Sequence, residues 1–345
     1  MKRHKPKAGE PLFFSKTFAF LAEYLPNAVG RSPGTIASYR DTLTIFRRYV
    51  RKELEMKIGT FCFSHCTRAC VLGFLEYLKQ QGNQPSTRNH RLAGLKGYLA
   101  YAADMDIALQ SIWLEVKRIK AYRVVKMEKP IIYEPQFRTI LEQIPNNRRG
   151  IRNRTILILL YETAQRISEL VSLQLSGLQL QGDKPYIHVV GKGRKERYIA
   201  ITRLTAEHLS TYLRYYHGNG SVDTDFVFYT VSKGVVNSIS QRSVQEFLQQ
   251  YASTARKQDA AIPLKVHPHM LRRSKATTLY QNGMPLPLVS SFLGHSLLET
   301  TQIYAKPSLK MMSNALQGVN PGDYKAEEPN WLGKEELLAI KCGIR

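Results

Sequence analysis

The chain has 345 residues, more than the ~100–200 usual for one domain, so two compact units with separate cores are expected. Hydrophobic residues at 43% and charged residues at 22% are ordinary globular usage and exclude disorder as the dominant state. Fifty Lys and Arg against 27 Asp and Glu leave a formal charge of +23, an excess that repels itself until a polyanion meets it, so nucleic acid is the expected partner.

Residues 1–11 form a basic tail that is not followed at once by a long apolar stretch ending in small residues, so no secretory signal is expected. The longest clean apolar run, Ile156 to Tyr161, falls far short of the ~20 residues that span a bilayer. A cytoplasmic protein with no membrane partner is the expectation. From 12 to 120 the apolar positions recur at three and four residues, as in Leu43, Phe46 and Val50, then Val71, Phe74, Leu75 and Leu78, then Leu92, Leu95 and Leu99. That periodicity predicts an all-α domain. Helix starts are marked by Ser32-Pro33, by Ser64, and by Pro85-Ser86-Thr87, with a break at Gly82 to Gln84.

Cys62, Cys66 and Cys70 fall four residues apart with His65 between them, a spacing that stacks thiols on one helix face. Structural zinc sites favour C-x₂₋₄-C pairs converging from separate elements, so buried small side chains are expected and no metal. With Cys342 they are too few and too unevenly placed for a disulfide framework.

Val116 to Pro130 carries Lys117, Arg118, Lys120, Arg123, Lys126 and Lys129, which makes this stretch, and 121–133 in particular, the expected basic linker. Such a segment is either simply solvated or laid along a DNA backbone. A second unit is expected over 134–318, opening with helices at Glu134–Glu142 and Arg149–Thr163. Its one strong β signal is a hairpin, Tyr186–Val190 and Arg197–Ile201 around Gly191-Lys192-Gly193. Helices resume near Thr205, Ser240, Met270, Pro287 and Ser296. The tail 319–345 offers a short amphipathic helix, Lys334 to Lys341, that packs at home or on a neighbour. The fold class expected is therefore mainly α with a small antiparallel β-sheet: an all-α N-terminal domain followed by an α+β domain.

Cleaving a phosphodiester requires a nucleophile, groups that meet the charge developing on the phosphoryl oxygens, and an acid for the departing oxygen. Four segments of the second unit hold such groups. Arg166 and Glu169 lie on one helix face in Ala164-Gln165-Arg166-Ile167-Ser168-Glu169-Leu170, an i, i+3 pairing that by itself is ordinarily a surface ion pair. Lys192 sits between two glycines of the hairpin loop, where a lysine is normally just solvated. His269 and Arg272 stand at i, i+3 and can grip one phosphate. Leu293-Gly294-His295 is followed nine residues after the histidine by Tyr304, one of 19 tyrosines, most of which must be packing.

Together these segments resemble the tyrosine recombinase family of phage integrases and Xer-type recombinases. Its members carry an A/G-x-R-I/L-S-E-L box, a G-K-G hairpin lysine, an H-x-x-R box, and an L-G-H box with a tyrosine nine residues after its histidine. All four occur here in that order, and the resemblance extends over residues 12 to 318.

The resemblance implies a SAM-like integrase core-binding domain over 12–120, a catalytic domain over 134–318, and a clamp of the two around duplex DNA. It implies that Arg166 and Arg272 hold the scissile phosphate, with hydrogen bonds from His269 and His295. Lys192 would protonate the leaving 5′-oxygen, with Glu169 supporting. Tyr304 would attack phosphorus, giving a 3′-phosphotyrosyl intermediate that stores the bond energy, so neither metal nor nucleotide cofactor is implied. His269 is the implied base for a phenol that is otherwise mostly protonated at neutral pH.

DNA contacts are expected from Arg31, Thr35, Tyr39 and Arg40 on one helix, from Thr87, Arg88, Asn89, Arg91 and Lys96 on another, and from Arg273. Gln165 and Arg273 depart from the family pattern, and His267 stands close enough to share a role with His269. The implied reaction is site-specific recombination of the integrase or transposase type, serving DNA integration or transposition. A homo-tetramer would act on specific double-stranded sites through a Holliday junction, the protein being a monomer or weak oligomer when free. A type IB topoisomerase-like enzyme and a non-catalytic DNA-binding regulator are the alternatives.

Overall fold

The computed structural model describes residues 10–124, 129–191, 195–218, 220–294, 301, 311–313 and 333–344. The chain divides into two units between Glu128 and Lys129.

The first unit is helical. A 3₁₀ turn at Phe13–Lys16 and a π-helical segment at Ala19–Ala28 lead into α1 (Pro33–Glu53), followed by α2 (Arg68–Gln80), α3 (Pro85–Met105) and α4 (Gln110–Lys117). Ser32 caps α1 through a hydrogen bond from the Thr35 N–H, and prolines occupy the first positions of α1 and α3, where no intrahelical N–H is needed. Phe13 is fully buried, and its ring lies 5.1–5.4 Å from those of Phe46, Phe61, Phe63 and Tyr98. This aromatic cluster ties the start of the unit to α1, to α3 and to the connection before α2.

The cysteine stretch departs from the expected single helix. Cys62 is in extended backbone, Cys66 follows a 3₁₀ turn at Phe63–His65, and only Cys70 belongs to α2. Thr67, not Ser64, caps that helix, its hydroxyl accepting from the Cys70 N–H at 3.3 Å. All three thiols are buried nonetheless. The basic stretch after α4 is also less free than a linker: Ile119 is buried and Tyr122 is held by α3, as described below.

The second unit begins with α5 (Glu134–Glu142) and α6 (Arg148–Thr163). The latter is buried along most of its length through Ile156, Leu157, Leu159 and Leu160. Around it pack α8 (Arg203–Tyr216), α9 (Gln241–Ala255) and α10 (Pro268–Gln281), while α7 (Ile167–Val171) follows a sharp reversal at the end of α6. The expected hairpin is present as β2 (Tyr186–Val190) and β3 (Glu196–Ala200), antiparallel with Ile187 opposite Ile199. Ile187, Val189 and Ile199 face the core. A third strand, β1 (Leu178–Gln179), extends this sheet.

A second hairpin, β4 (Tyr229–Ser232) and β5 (Val235–Ser238), goes beyond the one β signal expected. Its turn places Lys233 and Gly234 both at positive φ, 50° and 78°, the geometry that matches strand twist in two-residue loops. The lysine replaces the usual Asn or Asp and hides the turn. α11 (Leu286–Leu293) packs on α10, and α12 (Glu335–Lys341) presents Leu337, Leu338 and Ile340 to solvent. The helix expected near Ser296 lies outside the described residues. Among the described residues no helix is long and apolar enough to cross a membrane.

The start of α6 is a tight point. Asn147 caps it by accepting from the Gly150 N–H at 2.8 Å, and a Cβ on Gly150 would lie 1.7 Å from the Pro145 carbonyl oxygen. Backbone must move to admit it. Gly150→Ala is expected to lower the stability of the protein by about 1–3 kcal/mol, read as a lower urea midpoint with an unchanged slope.

Candidate active site

Arg166 is the N-cap residue of α7, placed by the reversal after α6. That reversal puts Ala164 at φ 47°, ψ 24°, a left-handed conformation uncommon for a residue with a Cβ. Glu169, one turn on, reaches back so that its Oε2 accepts from the Arg166 backbone N–H at 2.7 Å and its Oε1 from Arg166 Nη1 at 2.8 Å. A second guanidinium closes on the same carboxylate. Arg197 of β3 donates from Nη1 to Oε1 at 3.1 Å and from Nη2 to Oε2 at 2.8 Å. Burial by itself would push the Glu169 carboxyl up, but the hydrogen bonds from Arg197 and Arg166 outweigh it and hold the pKa at about 2.

Arg272, in the second turn of α10, is only 1% exposed. Its Nη1 donates to the carbonyl of Ala164 and its Nη2 to that of Leu293, both at 2.6 Å. One side chain thus fixes the backbone two residues before Arg166 and two residues before His295. Leu293 ends α11, and Gly294 follows at φ 65°, a left-handed cap that glycine takes without strain. The start of α10 is itself anchored. Ser274 Oγ accepts from the Ile132 N–H at 2.7 Å and donates to Met270 O, and Arg273 Nη2 donates to the Pro130 carbonyl.

His269 stands in the first turn of α10 and reaches solvent. Partial burial lowers its pKa below the usual histidine value, and the positive fields of Arg272, His267, Arg166 and Arg273 lower it further. The shift favours the neutral imidazole, the form that can accept a proton. His267, the N-cap residue of the same helix, is lowered by burial and by Arg273 and Lys129. Arg166, His269 and Arg272 are thus gathered in one electrostatic neighbourhood. Lys192, His295 and Tyr304 lie outside the described residues. Gly191, which precedes Lys192, is described, and its N–H donates to the Lys195 carbonyl at 2.7 Å across the base of the hairpin loop. Gln165 is buried, and among the described residues neither its side-chain nitrogen nor its oxygen has a hydrogen-bond partner.

Most of the residues expected to meet DNA from the first unit have duties within it. Arg88 is buried with its guanidinium 4.2 Å from the centre of the Tyr122 ring. Asn89 exchanges two 2.8 Å hydrogen bonds with the Tyr122 backbone. Arg91 donates to Ser38 O and Thr42 Oγ1 on α1, and Lys96 donates to the carbonyls of Lys117 and Ile119 at the end of α4. Tyr39 packs edge-on against Phe20, 5.2 Å between centroids, and Thr35 completes the Ser32 cap. Thr87 is partly buried, whereas Arg31 and Arg40 are exposed. The residue that sequence reasoning missed is Arg197. Nothing in a β-strand pattern marks one arginine as the partner of a carboxylate 28 positions earlier.

Two family models match the chain: the phage integrase family over residues 130–310 and the phage integrase N-terminal SAM-like domain over residues 19–105. Tyrosine recombinase XerD of Oceanobacillus iheyensis is 27% identical over 303 residues, covering 85% of this chain and 94% of its own. Tyrosine recombinase XerC of Chlamydia caviae is 28% identical over 326 residues, covering 89% and 99%. Among solved structures, the Tn1549 transposon integrase in complex with transposon right end DNA matches with a TM-score of 0.66 at 16% identity, over 89% of this chain and 98% of that one. XerH site-specific recombinase bound to its difH substrate in a pre-cleavage complex matches with a TM-score of 0.61 at 23% identity, over 81% and 79%. These two share the fold.

The Glu169 carboxyl gives a pH test of the cluster. Its folded pKa, about 2, lies below the ordinary ~4.3 of an unfolded glutamate, so its stabilisation is complete above that value and is lost as pH falls toward 2. Glu169→Gln should therefore cost about 3 kcal/mol at pH 7. The deficit should shrink between about pH 5 and pH 2, as measured by urea midpoints across that range. A deficit independent of pH would contradict the ionised cluster.

Proposed function

Because this chain belongs to the phage integrase family and is a tyrosine recombinase, catalysing DNA strand cleavage and rejoining, we propose that it exchanges strands between specific double-stranded DNA sites with Tyr304 as nucleophile. The observation that carries this reading is the bracket made by Arg272, which shares α10 with His269 and is locked to the carbonyls of Ala164 and Leu293. That bracket ties the Arg166 box to the residue pair preceding His295.

In the proposed reaction the Tyr304 oxygen attacks the scissile phosphorus and its proton passes to neutral His269. The bond from phosphorus to the 5′-oxygen breaks, and Lys192 supplies the proton that leaves with that oxygen as a 5′-hydroxyl. Arg166 and Arg272, with His295, meet the charge on the non-bridging oxygens. A 3′-phosphotyrosyl linkage remains, and a 5′-hydroxyl from the second duplex reverses the steps to rejoin. DNA is the partner supported by the chain's charge and by the DNA-bound recombinases that share its fold. Groove and backbone contacts fall to Arg31, Thr35, Tyr39, Arg40, Thr87 and Arg273, with Arg88, Asn89, Arg91 and Lys96 shaping the surface that carries them. Four copies on two sites would pass through a Holliday junction in the cytoplasm. The exposed apolar residues of α12 support an exchange of that helix between neighbours.

Incubation with a nicked suicide duplex of the cognate site should yield a complex stable to denaturant. Tyr304→Phe should abolish it, and persistence in that variant would remove Tyr304 as nucleophile. Arg166→Ala should slow complex formation by ~10²–10³-fold. Because His269 acts as a base in its neutral form and its pKa lies below the usual value, the cleavage rate should hold as pH drops through ~6.5 and fall only at more acid pH.

Deleting the residues after Pro321 should leave single-site binding in a gel-shift assay intact while weakening the pairing of two sites. Unchanged pairing would contradict exchange of the tail.

A further inference from the structure

Glu169 is the one carboxylate hydrogen-bonded to Arg166 among the described residues, and an isolated pair of that kind is electrically neutral. A neutral pair attracts a phosphate weakly. Here the carboxylate is shared. Arg197 takes both oxygens end on, through Nη1 and Nη2, in a bidentate fork that guanidinium and carboxylate geometry allows, while Arg166 binds only through Nη1 and its backbone N–H. Among the described residues the Nε and Nη2 of Arg166 make no hydrogen bond, and its side chain is 33% exposed against 13% for Arg197. Two cations on one anion leave a net charge of +1, and the more accessible of the two is Arg166.

Arg197 also sets the space around it. A Cβ on Gly294 would meet Arg197 Cδ and Nη1 at 3.0 Å, and a Cβ on Gly191 would meet Glu169 Oε1 at 3.0 Å and Arg197 Nη1 at 3.6 Å. The backbones that lead into His295 and Lys192 therefore both lie against this one ion cluster.

We propose that Arg197 is a positioning residue for strand cleavage: by occupying Glu169 it leaves the cluster with a net positive charge and leaves Arg166 open toward the scissile phosphate, and it is the surface on which Gly191 and Gly294 rest. The role rests on the proposed function of the site. It differs from a stabilising ion pair in a way that can be measured, because its purpose is to offset an anion that belongs to the protein itself. If the anion is removed as well, the need for Arg197 falls.

The experiment is a double-mutant cycle read by single-turnover formation of the covalent complex on a suicide duplex, at saturating protein and below the melting temperature of each variant. Arg197→Gln should slow cleavage about 10- to 100-fold, less than loss of Arg166 itself, with DNA affinity changed little. Adding Glu169→Gln should recover much of that rate, so that the double variant cleaves faster than Arg197→Gln alone. Arg197→Lys, which keeps the charge but not the two-pronged contact, should fall between wild type and Arg197→Gln, and it carries the same cycle should Arg197→Gln melt too low to assay. A double variant as slow as or slower than the single one would overturn the proposal, as would full activity in Arg197→Gln. No covalent complex from the wild-type protein would instead overturn the reading of the whole site, and this role with it.

Discussion

A guanidinium stays charged even when taken almost wholly out of water, so its burial is tolerable only if oxygen atoms replace the water it has lost. Arg272 meets that condition with the carbonyls of Ala164 and Leu293, and those two oxygens are available because both belong to helix ends. The last carbonyls of a helix have no partner within it and carry the negative end of its dipole. α6 and α11 thus aim their C-termini at one buried cation presented by α10. The arrangement also explains the left-handed residues at both ends, Ala164 and Gly294, since each helix must turn away abruptly once its terminal carbonyl has been delivered. Hydrophobic burial assembles the three helices, but the cation fixes how far their ends stand from one another.

With that bracket in place the remaining charges follow an economy of their own. Arg272, His267, Arg166 and Arg273 all raise the positive potential at His269, and among the described residues Glu169 is the one carboxylate hydrogen-bonded to Arg166. Like charges this close destabilise the protein that holds them unless an anion intervenes. The protein supplies one carboxylate and then spends a further arginine on it. The balance is a site left positive by design of its contacts, which is the state a phosphodiester requires of its binding partner.

Much of this was legible in the sequence because it depends on local rules. Helical spacing with Ser32-Pro33 and Pro85 at first turns marks α1 and α3, and the two β-rich runs around a glycine-flanked lysine mark the hairpin of β2 and β3. The order of the four boxes points to Arg166, His269 and Arg272 before any coordinate is known. What escaped depends on packing. Arg197 is 28 residues from Glu169 and meets it only once the sheet is laid on α7. The helical face that carries Arg88, Asn89, Arg91 and Lys96 looks like a polar surface awaiting DNA, yet Tyr122 and the end of α4 fold back on it. The cysteines kept a helical spacing without a helix because a 3₁₀ turn buries Cys62 and Cys66 from extended or irregular backbone. The β4–β5 turn used lysine where asparagine or aspartate would have announced it.

The proton inventory of the proposed reaction shows why the arginines must outnumber the acids. A phenol of ordinary pKa ~10 giving its proton to an imidazole at or below ~6.5 goes uphill by roughly 5 kcal/mol before any other charge acts. The cations around His269 make this worse from the side of the base, since they lower its affinity for a proton. They act with the opposite sign on a phenolate and on the charge that builds on the phosphoryl oxygens. A group that accepts negative charge gains from the field that a group accepting positive charge loses to. The field is favourable overall only if the transition state places more negative charge among the arginines than positive charge on His269. A phosphoryl group under attack, which carries its own negative charge into the cluster, satisfies that condition. A cluster half neutralised by Glu169 satisfies it less well, which is the physical reason for a second arginine on that carboxylate.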